Sequence, residues 1–385
     1  MASSAPESRC IGTLPVLYST LESKSRCLTW KQGSLIVFPV SYDIGMRTVR
    51  LAAAERLGHT EYCSNYALVR AVTGLDPRTD NTAWKAFNDA WDIDLIWTVN
   101  DGPIPWGQRG RVTDMGHAEF LEDGIDRRDA VTCPFTSVEE VLAFDAVEEY
   151  GLPEMDGLVR YYEDWYRQGQ EANPNQVHPG GYYKTIVSGA IEALGWDMLL
   201  SAAADQERFD RVLDGIFRLA MHHFQAWAKT SIEVFICHDD MVWTQGAFMH
   251  PDFYRSAIFP RYKKLWDVLH EAGKIVLFCS DGDFTEFVDD IAEAGADGFI
   301  FEPLTSLDYV IERYGRTHVI AGSKVDCRTL TFGTPEAIRR EIDETLRIAR
   351  DCPGFMFAVG NHIPSNVPVD NALFYFDYLR RHWRR

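Results

Sequence analysis

The chain has 385 residues, 46% of them hydrophobic and 13% aromatic, and a formal net charge of −19. That acid excess excludes a binder of phosphate backbones, which needs a basic stripe. No apolar run reaches the roughly 18 residues of a membrane span, and the short polar start Met1–Arg9 has no signal-peptide core, so the expectation is a cytoplasmic enzyme acting on a small molecule, with no nucleic-acid or membrane partner.

Residues 1–30 read as an irregular extension, and residues 31–385 as one domain. Leu35–Val40 is a predicted first strand and Thr48–Leu57 a helix. Trp84–Trp91 is a helix, and Leu95–Val99 a strand running into Asn100-Asp101-Gly102. The stretch 103–133 is polar, Gly-rich and Trp-containing, too poor in apolar residues for a core element. A connection of that length reads as a functional loop. Ser137 or Thr136 can cap a helix over Pro134–Phe144, with Glu139 and Glu140 in its first turn. Leu158–Gln168 is helical, Lys184–Val187 a short strand, and two helices follow with a break near Asp205.

From residue 232 the pattern becomes regular. Ile232–Cys237, Ile275–Phe278, Phe299–Phe301, Val319–Ala321 and Phe355–Val359 are short apolar runs separated by amphipathic helices. Buried parallel strands have this continuous apolar character. Each run ends in polar or ionisable residues, which is how a (β/α)8 barrel carries its active face. The predicted fold is therefore α/β, a (β/α)8 TIM barrel with an N-terminal extension and long loops over its mouth. The eight cysteines are scattered, without a CxxC pair, which suits reduced thiols better than a disulfide framework.

The strand ends carry the chemistry. His238 and Asp240 are two apart and share one side of a strand; they can orient an imidazole or hold substrate. Cys279 is a metal ligand, a nucleophile or an inert buried thiol. Asp281 precedes Gly282, which lets the backbone turn tightly. Glu302 follows an apolar run and needs a partner if buried, with Lys324 and Asp326 as candidates. His362 follows the last strand, and His117 and Glu119 in the long loop could cover a substrate. Trp97 and Trp243 could wall an apolar pocket. GxSxG, HExxH, Walker A and strand-linked GxGxxG motifs are all absent.

Several motifs together resemble the uroporphyrinogen decarboxylase superfamily over roughly residues 150–385. They are His238-Asp239-Asp240-Met241 with Gly246, Pro251-Asp252-Phe253-Tyr254, Pro260-Arg261-Tyr262-Lys263 and Phe278-Cys279-Ser280-Asp281-Gly282-Asp283. Glu293–Gly298, Phe332–Glu336 and Asn361-His362-Ile363-Pro364 with Asn371 extend the match. The resemblance implies a (β/α)8 barrel and one of two chemistries. True uroporphyrinogen decarboxylases grip their substrate with an Arg-rich N-terminal segment, where this chain offers only Arg47 and Arg50. The other branch is the corrinoid-linked methyltransferases, and the chain is closer to it. Thiol-methylating members hold zinc through His-x-Cys and a distant Cys. Here Cys279 keeps the middle position, while Leu277 and Asn361 stand at the other two.

The leading expectation is a methyltransferase acting on a small methylated, for instance methoxylated aromatic, substrate. It would pass the methyl group to a separate corrinoid protein, since this chain has no Asp-x-His-x-x-Gly corrinoid motif. In this reading His238, Asp240, Asp281 and Lys324 are catalytic. Trp97, His117, Glu119, Trp243 and Asn361 bind substrate, and Cys279, Glu302 and His362 are candidate zinc ligands. The alternatives are a cofactor-free decarboxylase, with Lys324 and Arg261 or Arg328 on the carboxylate, and a non-catalytic binding barrel.

Overall fold

A computed structural model describes residues 41–113, 133–360 and 362–385, and the backbone of two short ladders outside these ranges. Met1–Pro39 and Val40–Arg385 form two compact units. In the first, Trp30–Lys31 pairs antiparallel with Ser34–Leu35.

The second unit is built on seven parallel strands: β1 (Gly58–His59), β2 (Gly180–Tyr182), β3 (Val234–His238), β4 (Ile275–Ser280), β5 (Gly298–Phe301), β6 (Val319–Gly322) and β7 (Phe355–Phe357). Their order in space is β1-β7-β6-β5-β4-β3-β2. The gap between β1 and β2 is filled by the extended segment 94–100. Asp94 N donates to His59 O at 2.8 Å, Val177 N to Asp94 O at 2.8 Å, Ile96 N to Val177 O at 2.9 Å and Asn100 N to Gly181 O at 3.1 Å. The sheet therefore closes with eight staves in sequence order, each followed by helix, which is the (β/α)8 barrel expected from the sequence.

Alternation along each strand divides the core. Val234, Ile236, Leu277, Cys279, Ile300, Val319, Ala321 and Met356 fill the barrel interior together with Leu95 and Val177. The opposite parity, Phe235, Cys237, Phe278, Phe299, Phe301 and Phe357, packs under the helices with Trp227, Trp266 and Tyr162. The N-terminal end of the barrel is plugged by helix Ser41–Val49, whose Met46 and Val49 join the interior cluster. A Cβ on Gly45 would lie 2.6 Å from Asp94 O, so only glycine lets this helix sit so close to the strands. Below the same strands Arg56 clamps fully buried Asp94 through two bonds of 2.6 and 2.7 Å and lies 4.3 Å over the Trp383 ring.

Three elements differ from the sequence expectation. Leu35 pairs with Trp30 within the first unit; residues 36–40 lie outside the described set. The helix expected at Thr48–Leu57 occupies Ser41–Val49, and Leu51 turns the chain with φ +56°. The strand expected at Lys184–Val187 is Gly180–Tyr182 instead, and Val187 begins a helix ending at Leu194. Glycines at 180 and 181 disguised the strand, because they lack the β-branched signature. Their reason is packing: a Cβ at Gly180 would lie 2.5 Å from Ile232 Cδ1 and one at Gly181 2.9 Å from Ile236 O.

The helix at Val138–Leu142 starts from Ser137, whose side chain accepts from Glu140 N at 3.3 Å, and Asp205 caps the long helix Gln206–Ala228 at the expected break. Within 103–133, Glu119–Phe120 pairs with Asp126–Arg127. Cys63, Cys133, Cys237, Cys279, Cys327 and Cys352 are free thiols. No described helix is long and apolar enough to cross a membrane.

Candidate active site

The carboxyl ends of β2, β3, β4 and β5 bring a group of ionisable side chains together at the barrel mouth. His238 closes β3, in register with Cys279 of β4. Its Nε2 lies 3.1 Å from Asp240 Oδ1. The same Oδ1 accepts from Asp281 N at 2.9 Å, and Oδ2 accepts from the Tyr183 hydroxyl at 2.8 Å. The Tyr183 ring stands edge-on to His238 with centroids 4.5 Å apart. Both His238 and Asp240 keep part of their surface open to solvent, as groups that meet a substrate must.

Electrostatics fixes the charge of the pair. Burial opposes an imidazolium at His238, but Cys279 and Asp240 beside it outweigh burial and carry it well above its ordinary range. Burial likewise opposes the Asp240 carboxylate, yet His238 holds it at about 2. Both shifts favour the imidazolium–carboxylate form of the pair. Burial and the neighbouring carboxylates push Tyr183 far up, so its phenol keeps its proton. Burial also raises the Cys279 thiol, against the pull of His238.

Glu302 completes the acidic side. Its Oε1 accepts from Gly282 N at 2.7 Å. Gly282 has φ +82°, and a Cβ there would lie 2.6 Å from Trp243 O, so the turn that aims this N–H demands glycine. Burial raises the Glu302 carboxyl, only partly offset by that bond, and Asp326 and Asp240 raise it further.

The expected site residues do not all converge. His238, Asp240, Cys279, Asp281 and Glu302 meet as described. Lys324 does not join them, because its ammonium pairs with Asp308 on helix Leu307–Tyr314. Trp97 and His362 share one wall through Tyr62, whose ring lies 6.3 Å from Trp97 and 5.5 Å from His362. Burial lowers His362 to about 4, leaving a neutral imidazole. Trp243 is 47% exposed and packs on Trp196 and Phe248 at 5.5 and 5.6 Å. His117 and Asn361 lie outside the described residues, as does the side chain of Glu119.

The candidate zinc ligands fare differently from the acid–base group. Among the described residues no three His, Cys, Asp or Glu side chains are grouped to hold a metal ion. Cys279 faces His238, Glu302 is taken by Gly282 N, and His362 packs on Tyr62. Cys279, Glu302 and His362 thus do not fit a shared zinc ion in this arrangement.

Of the cations invoked for a carboxylate substrate, Lys324 and Arg261 are engaged elsewhere. Arg261 bonds Asp210 at 2.7 Å between two helices, whereas Arg328, 3.8 Å from Asp326 and largely exposed, is close enough to Glu302 to lower it. Arg47 is bound by Asp43 and Glu55, and Arg50 by Glu233, at the N-terminal end of the barrel.

Three residues escaped the sequence reading. Tyr183 was hidden because its strand was placed four residues too late. Ser188, buried on the next helix, accepts from Asp240 N at 2.8 Å. Asp239, between two mouth residues, is wholly buried and faces the opposite way, where it accepts from the backbone of residues 186, 187 and 188. Strand alternation was the available signal for Asp239.

Residues 185–382, just over half the chain, match the family model described as uroporphyrinogen decarboxylase (URO-D). The chain belongs to the uroporphyrinogen decarboxylase family. Two relatives bear that name. One, from Carboxydothermus hydrogenoformans, is 27% identical over 168 residues, 43% of this chain and 45% of the relative. The other, from Citrifermentans bemidjiense, is 24% identical over 181 residues, 46% of this chain and 50% of the relative. The chain spans about half the length of these curated relatives. A solved methyltransferase from Methanosarcina mazei superposes with a TM-score of 0.62 at 15% identity, covering 89% of this chain and 98% of that one. That likeness is one of fold.

Proposed function

We propose that this family member is a methyltransferase that removes a methyl group from a small neutral or cationic substrate and delivers it to a corrinoid carried by a separate protein. The observation that carries the reading is the charged His238–Asp240 pair at the mouth, hydrogen-bonded at 3.1 Å among Asp281, Glu302 and Tyr183. Breaking a methyl–oxygen or methyl–nitrogen bond leaves a basic atom that must be protonated or otherwise stabilised. His238 Nε2 is engaged by Asp240, which holds the imidazolium in place, so the proton offered to such a leaving atom would come from the other ring N–H. Tyr183 and Asp281 N fix Asp240 so that the proton sits in one place. Trp97 and Tyr62 offer an aromatic wall for the rest of the substrate. The corrinoid would supply the nucleophile for the methyl group; this chain's residues bind, orient and protonate.

A carboxylated substrate, as a decarboxylase needs, would meet Asp240, Asp281 and Glu302, while Lys324 and Arg261 are tied into ion pairs. Fold alone cannot choose between these chemistries, although the Methanosarcina mazei methyltransferase is a neighbour in fold. The test is to incubate the purified protein with reduced free cobalamin and a panel of methoxylated, N-methylated and carboxylated compounds, and to follow demethylated product and carbon dioxide by mass spectrometry. Demethylation of a neutral or cationic member supports the proposal. Carbon dioxide release without demethylation overturns it.

A further inference from the structure

Behind the mouth lies a second polar group that touches no substrate position. Fully buried Asp239 accepts four hydrogen bonds: Ile186 N at 2.9 Å, Val187 N at 3.0 Å, Ser188 N at 2.6 Å and the Tyr262 hydroxyl at 2.6 Å. Helix Val187–Leu194 has no side-chain cap from its own sequence, since Ile186 occupies the N-cap position. Its first N–H groups would otherwise be orphaned in the core. A carboxylate from β3 satisfies them and so locks the start of this helix to the strand that carries His238.

The lock reaches the mouth through one hydroxyl. Ser188 Oγ accepts from Asp240 N at 2.8 Å and also contacts the Tyr183 phenol. There is little slack in the seat of this helix: a Cβ on Gly189 would lie 2.9 Å from Lys184 O and 3.1 Å from Ile216 Cγ2. The sequence of contacts is Tyr262 to Asp239, Asp239 to Ser188, Ser188 to Asp240, and Asp240 to His238.

We propose that Ser188 is a positioning residue for the His238–Asp240 pair, itself held in place by the buried Asp239–Tyr262 contact. The inference rests on the reading of that pair as the acid of the site. Asp240 N and both oxygens of its carboxylate are held by separate partners, and Ser188 supplies the one that fixes the backbone. Without it the carboxylate is free to drift from the imidazole by a fraction of an ångström, enough to weaken a charge-assisted bond.

The groups facing His238 are Asp240 on its own segment, Tyr183 beyond β2, and Cys279 from β4, with Asp281 after β4 acting on Cys279. Glu302 in turn acts on Asp240. Ser188→Ala also removes the contact with the Tyr183 phenol, whereas Tyr262→Phe leaves all of these groups as they are. The phenylalanine keeps the ring stacked on Trp266 at 5.2 Å and removes only the hydroxyl.

The experiment is to titrate the His238 ring by NMR in the wild-type chain and in both variants, without substrate, alongside thermal melts. In Ser188→Ala the His238 midpoint should fall by about half a pH unit to one unit, with a smaller fall of the same sign in Tyr262→Phe. Folded variants whose midpoints do not fall below that of wild type overturn the proposal. If Ser188→Ala does not fold, Tyr262→Phe alone decides. Because the readout needs no turnover, a failure of the methyl-transfer reading leaves this result to stand or fall by itself.

Discussion

His238 Nε2 and Asp240 Oδ1 lie 3.1 Å apart across one intervening residue, Asp239, whose carboxylate is wholly buried on the other side. Strand alternation thus divides three consecutive ionisable residues between two tasks: a partly exposed pair and an internal clamp.

The pair makes stability depend on pH in a defined window. His238 is raised above its ordinary 6.5, so its contribution is complete below that value and is lost as pH rises through the folded value. Asp240 is depressed from 3.8 to about 2, so its contribution is complete above 3.8 and is lost as pH falls through about 2. The two are therefore jointly complete between 3.8 and 6.5. The melting temperature of His238→Gln should fall furthest below wild type in that range, and the gap should narrow on both sides, as measured by melts across pH.

Arg56→Ala should destabilise the barrel by about 3–5 kcal/mol, because it strands a buried, charged Asp94. Chemical denaturation measures this directly. Arg56→Ala with Asp94→Ala should cost less than the single change, since no charge is then left unpaired.

Gly282→Ala should cost about 1–3 kcal/mol from its left-handed φ and its contact with Trp243 O. It should also weaken the bond to Glu302 that fixes that carboxylate. Denaturation gives the first effect. The second appears as reduced turnover with the remaining folded protein.

A substrate analogue carrying an added carboxylate should bind at least about tenfold more weakly than its neutral parent, given two or three acids within several ångströms. Titration calorimetry with matched pairs measures the ratio. Glu302→Gln should narrow the gap.

Much of the barrel was legible because its later strands are fully buried runs whose ionisable ends stand in register. The five strand ends from 238 to 362 were readable for that reason. β2 was not, since Gly180-Gly181-Tyr182 is chosen for close packing against Ile232 and Ile236 and carries no strand signature. Tyr183 and Ser188 were lost with it. Lys324 illustrates the limit for side chains: its position after β6 suggested the mouth, but a long flexible ammonium takes the nearest carboxylate, here Asp308. Cys279, Glu302 and His362 shared a face in sequence terms, yet each found a different neighbour, which strand pattern cannot foresee.

The most direct measurement is the single-turnover rate of demethylation, with reduced cobalamin as acceptor, for wild type and His238→Gln across pH. The expected result is a wild-type rate that falls as pH rises through the His238 midpoint, with His238→Gln slower by about a hundredfold or more and flat over the same range. A His238→Gln protein that transfers at the wild-type rate with an unchanged pH profile would contradict the assignment of His238 and Asp240 as the acid of this site.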